Sequence, residues 1–179
     1  MPKLVVSLCA LVLLATASVS AWAGEPTSGT LSVEKGKGLV VIDFRGSVLG
    51  RLTSGTLRVT DQTPNDRYAP LVTGKKVTQE RIGPRTVLYK GQGVRFRLVG
   101  GGYRMVARGS GISVSAVGRG LVVLDGEPRW PGDDVGIYSR DGSDCSSEPE
   151  KCFAIPTEPE RFTLEPPPTE PKPKQGQGS

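Results

Sequence analysis

A block of eight residues, Gly36-Lys37-Gly38-Leu39-Val40-Val41-Ile42-Asp43, recurs almost unchanged as Gly118-Arg119-Gly120-Leu121-Val122-Val123-Leu124-Asp125. Each copy joins a glycine pair to a short β-branched run, the composition of a turn feeding a buried strand. Runs of period-two alternation bounded by glycine fill the chain around and between the copies. Nowhere beyond residue 23 does the 3.6-residue period of a helix persist. The pattern predicts an all-β fold: an antiparallel β-sandwich or barrel of about ten short strands joined by glycine-rich hairpins. A β-solenoid is the alternative, because the motif repeats. Against it stands the irregular spacing of the glycine turns.

Hairpin chemistry gives explicit registers. A turn at Lys35 to Gly38 puts Val33 opposite Val40 and Leu31 opposite Ile42, with Phe44 on the same inner face. A two-residue turn at Ser54-Gly55 pairs Leu52 with Leu57 and sets Arg51 opposite Arg58. A turn at Gly100-Gly101 pairs Leu98 with Tyr103, Phe96 with Met105 and Val94 with Ala107, all inward. It sets Arg97 opposite Arg104, with Arg95 beside them. In the second copy of the block the incoming strand turns Ile112, Val114 and Ala116 inward, and the same pairing then buries Leu121 and Val123. That change of phase reads the block as a reusable turn-and-strand unit, not as proof of two equivalent halves. Residues 62–84 are the least regular part, with weak strands at 71–73 and 76–79. Short strands are also expected at Ile137-Tyr138 and at 161–165, and Trp130 sits in a turn.

Composition divides the chain. Lys3, the apolar run at residues 4–15 and the Ala21-Trp22-Ala23 cleavage signal read as a secretory signal peptide over residues 1–23. Cys9 lies inside that run and no cysteine stands directly after the cleavage site, which argues against a lipid anchor. The rest divides into one β-domain over 24–165 and a Pro-rich tail over 166–179, whose composition cannot bury enough apolar surface to order itself. In an exported chain the isolated pair Cys145 and Cys152 is expected to form one disulfide. No further stretch is apolar enough to span a bilayer, so no integral membrane segment is expected after signal cleavage.

The chemistry left to the chain is narrow. With no histidine, the usual general base and every Ser-His-Asp or Cys-His arrangement are gone. No cofactor motif and no metal site is read. The Asp133, Asp134, Asp141 and Asp144 stretch lacks the spacing of a calcium loop. Asp43 and Asp125 are the one acidic pair considered as a glycosidase-type dyad, and both also suit strand ends before glycine. The charge is uneven: residues 24–126 hold 16 Lys/Arg against 7 Asp/Glu, and residues 127–179 hold 6 against 11. The arginines facing one another in the predicted registers, Arg51, Arg58, Arg95, Arg97 and Arg104, form the candidate anion-binding face. Like charges directly opposite across a sheet are unfavourable and ask for a reason. An anionic envelope polymer or lipid head group suits an exported protein. Nucleic acid suits it poorly, since Phe96 and Tyr103 point inward and leave no stacking platform. The expectation is a secreted or envelope-associated, non-enzymatic binding or structural module. The alternatives are a carboxylate-based hydrolase of an extracellular polymer and a self-assembling surface protein.

Overall fold

The computed structural model describes residues 28–165. The expected signal peptide and Pro-rich tail lie outside the described residues. Three long strands carry the domain: β1 (Gly29–Asp61), β2 (Leu71–Gly83) and β3 (Thr86–Gly126). Three short strands follow, β4 (Ile137–Ser139), β5 (Phe153–Ala154) and β6 (Glu160–Leu164), with one 3-10 turn at Pro149–Lys151. Every pairing is antiparallel and the sheet stays open at its edges. The fold is all-β and sandwich-like, and the expected short strands exist as arms of longer ones.

β1 and β3 pair with each other twice. Along one edge Leu31 lies beside Ala116, Val48 beside Leu98 and Val59 beside Val87. Along the other edge β1 meets β3 again in a displaced register: Val40 lies between Ala107 and Leu124, seventeen residues apart, and Leu57 lies between Tyr89 and Ala107. The two-stranded ribbon is therefore coiled, each turn hydrogen-bonded to the next. Residues 38–45, 54–61, 86–91, 102–109 and 120–126 form the first layer. Residues 29–34, 46–52, 94–99 and 112–118 form the second. β2 borders both layers, through Leu71 to Thr73 on the second and Thr78 to Gly83 on the first. β6 closes the far side of the first layer and β4 with β5 that of the second.

The glycines are corners, which corrects every predicted hairpin register. The chain does not reverse at Gly36 to Gly38, at Ser54-Gly55 or at Gly100-Gly101; it steps from one layer to the other and keeps going. Corner glycines fall side by side on neighbouring strands, in one column through Gly126, Gly38, Gly109, Gly55 and Gly91 and a second through Gly29, Gly118 and Gly46. At Gly55 (φ +137°) an added Cβ would stand 2.1 Å from the Arg108 carbonyl oxygen. At its partner Gly109 (φ +151°) it would stand 2.1 Å from that of Ser54. Two backbones bend against each other there with no room for a side chain.

The inward sets survive this correction. Leu31, Val33, Val40, Ile42, Phe44, Leu52, Leu57, Val59, Val94, Phe96, Leu98, Tyr103, Met105 and Ala107 are all buried in one core. Alternation fixes which residues face inward whether the chain reverses or bends, so the faces were right while the partners were wrong. The second copy of the block is different: Val122 and Leu124 are buried, and Leu121 and Val123 lie half-buried on the outer face. The two copies are direct antiparallel neighbours, with Val40 opposite Leu124 and Ile42 opposite Val122, and they bury equivalent positions.

Candidate anion-binding groove

Arg51 and Arg95 lie directly opposite one another on adjacent arms of the second layer, their Cα atoms roughly 5 Å apart as in any antiparallel pair. Both project outward and are exposed. Two hollows meet at this pair and share Arg51, Arg95 and Ser113. One, of about 670 Å³, runs to the corner column and adds Lys35 and Lys75. The other, of about 440 Å³, crosses the strands and adds Ser32, Ser115, Glu34 and Leu49. Together they make a groove with a cationic arm and a hydroxyl-lined arm. Among the described residues, none of Lys35, Arg51, Lys75 and Arg95 has an ion-pair partner.

Backbone geometry adds a second signal. Lys35 (φ 53°) and Lys76 (φ 51°) are the described non-glycine residues with positive φ. A left-handed conformation costs a side-chain-bearing residue roughly 1–2 kcal/mol relative to its right-handed form. Both sit at corners where glycine is the default, Lys35 next to Gly36 and lining the groove, Lys76 next to the groove-lining Lys75. Glu34 is held from the other side: one of its carboxylate oxygens accepts the Cys145 backbone N–H at 3.3 Å. Cys145 is bonded to Cys152, so the disulfide loop packs against the end of the groove. Closing a loop this small stabilises by about 2.5 kcal/mol in the chain-entropy model.

The structure divides the predicted arginine face. Arg97 shares the outer surface with Arg51 and Arg95, between Leu49 and Leu71, and borders a separate hollow of about 290 Å³ with Arg67 and Tyr68. Arg58 and Arg104 belong to the first layer. Arg58 lies between Leu88 and Val106, and Arg104 between Asp43 and Thr60. The like-charge facings of Arg51 with Arg58 and Arg97 with Arg104 do not occur. Arg104 has an acidic neighbour instead, with Nη1 4.0 Å from Asp43 Oδ2. Sequence reasoning missed Lys35, Lys75, Glu34, Ser113 and Ser115. The Lys35-Gly36-Lys37-Gly38 run was the one available signal, and it reads as a turn.

Several acidic residues are engaged elsewhere in the fold. Asp43 accepts a hydrogen bond from Gln62 Nε2 at 2.9 Å, and Asp125 lies beside Leu39. Four residues of strand, roughly 13 Å, separate those positions, so the two carboxylates do not converge as a dyad requires. Asp133 binds Lys37 Nζ at 2.7 Å, and this hydrogen bond, with that from the Arg129 backbone N–H, holds its carboxyl below the ordinary range. Lys37 also lies 5.9 Å from the ring of the exposed Trp130, which fastens the 128–135 excursion to the corner. The Asp141 and Asp144 carboxylates accept the backbone N–H groups of Ser143 and Ser146. Among the described residues no group of three or more metal-ligating side chains converges, and no helix is long and apolar enough to cross a membrane. No protein-family model, curated protein or solved structure matches the chain.

Proposed function

We propose that this domain is a non-catalytic binding module whose second-layer groove takes an anionic group of a cell-envelope component. The observation that carries the reading is the opposed pair Arg51 and Arg95, exposed, without ion-pair partners among the described residues and backed by Lys35 and Lys75. Like-charged side chains directly opposite cost up to about 1 kcal/mol, and an anion between two guanidinium groups reverses that sign. The extracytoplasmic setting rests on the N-terminal sequence pattern and on a disulfide suited to an oxidising compartment.

The direct test is charge reversal at the pair. Arg51→Glu with Arg95→Glu should abolish retention on a sulfated or carboxylated polysaccharide column at low salt. Arg58→Glu with Arg104→Glu, on the other layer, should still be retained and elute at only slightly lower salt than the native protein. Equal losses from the two double variants would reject the groove and leave a diffuse basic surface.

A further inference from the structure

The two arms of the groove differ in chemistry, and that difference selects a ligand. The cationic arm, with Lys35 and Lys75, suits any anion. The other arm offers no cation beyond the shared Arg51 and Arg95; its polar groups are the hydroxyls of Ser32, Ser113 and Ser115 and the carboxylate of Glu34. A site built for a bare polyanion has no use for a carboxylate, which repels it. A carboxylate fixed through one oxygen to the Cys145 N–H keeps its second oxygen as an acceptor, and among the described residues nothing else binds it. Hydroxyl groups of a sugar ring are the donors that match it, while serine hydroxyls donate or accept as needed.

We infer that the groove recognises an anionic sugar residue, its charged substituent between Arg51 and Arg95 and its ring hydroxyls on Glu34, Ser113 and Ser115. This rests on the anion-binding reading above and narrows it from polyanions in general to acidic glycans. The substituent is a carboxylate or a phosphate, since the arginine pair serves either. Lipid head groups without a sugar and inorganic polyanions use the cationic arm alone.

The test is titration calorimetry of the full exported chain with four probes: oligogalacturonate, phosphomannan, inorganic polyphosphate and neutral maltohexaose. Arg51→Ala with Arg95→Ala should weaken all three anions at least tenfold. Glu34→Gln keeps an acceptor for the Cys145 N–H. It should weaken the sugar probes about five- to tenfold and leave polyphosphate unchanged or tighter. Ser115→Ala, on the hydroxyl-lined arm alone, should do the same without touching the disulfide loop. Whether oligogalacturonate or phosphomannan binds better decides between carboxylate and phosphate. The sugar assignment is overturned if Glu34→Gln and the serine variant both change sugar and polyphosphate binding by the same factor while the arginine variant still abolishes it. Loss of the arginine effect on every probe would remove the groove itself, and maltohexaose binding as tightly as the acidic sugars would remove the anionic requirement.

Discussion

Single residues carry two kinds of information here. Lys35 is held in a left-handed conformation that glycine would adopt without strain. A strained residue at a cavity is grounds for a functional reading, and the groove supplies one. Lys35→Gly should therefore raise the thermal midpoint by a few degrees while weakening anion binding several-fold; a variant that gains stability with full binding would make Lys35 an incidental corner residue. Tyr103 reports on the core. It is fully buried, its hydroxyl donates to the Tyr68 carbonyl at 3.0 Å, and burial, then the charges of Asp61 and Asp66, push its pKa up to about 12. The raised value means the folded protein favours the neutral phenol. The associated stability is complete below pH 10, the phenol's unfolded value, and is lost as pH rises from there towards 12. Tyr89 and Tyr138 are raised as well, both chiefly by burial, and steepen the same limb. Tyr103→Phe should cost about 1 kcal/mol at neutral pH through the lost hydrogen bond. It should also flatten the alkaline fall in stability measured by urea unfolding at pH 8 to 12.

At the scale of elements, the corner is the unit that decides the fold. Gly55 and Gly109 face each other with each carbonyl neighbour in the space a Cβ would need. Gly109→Ala has no flexible side chain to displace, only backbone. It should destabilise by about 2–4 kcal/mol, combining overpacking with a positive φ. Chemical denaturation gives the number, and a cost below 1 kcal/mol would mean that the corner relaxes. Ser-Gly at 54–55 and Gly-Gly at 100–101 are acceptable in hairpins as well as in corners, so local turn chemistry could not distinguish them. β2 shows how the exposed border is managed. It carries Leu71 and Ile82 in the open but surrounds them with Lys75, Lys76, Glu80 and Arg81, charges that discourage edge-to-edge pairing.

At the scale of the whole molecule, the coil ties distant sequence together. β1 meets β3 along nearly its full length on one edge and from Gly38 to Asp61 on the other, so neither strand forms a stable unit alone. The irregular 62–70 connection lies outside that ribbon. Limited proteolysis within it should leave the two pieces associated by size exclusion and melting as one cooperative unit. Separation of the pieces under native conditions would contradict the double pairing. The same architecture delays folding, since nearly every ladder closes a long loop before it is stabilised.

The amino-acid sequence determined the secondary-structure class, the inward face of almost every arm and the positions where the backbone must bend. Those follow from period-two alternation and from glycine, both local. Val122 and Leu124 escaped because an all-apolar arm fits the core in either phase, and pairing alone decides which. The tertiary structure decided which arms are neighbours. A glycine pair permits reversal or a corner at similar local cost, and only the packing of one turn of ribbon on the next favours the corner. The same choice dispersed the five predicted arginines over two layers. It left Arg51 opposite Arg95 and brought the adjacent Glu34 and Lys35 together with Lys75 and Ser113, from separate parts of the chain, at the rim of one groove.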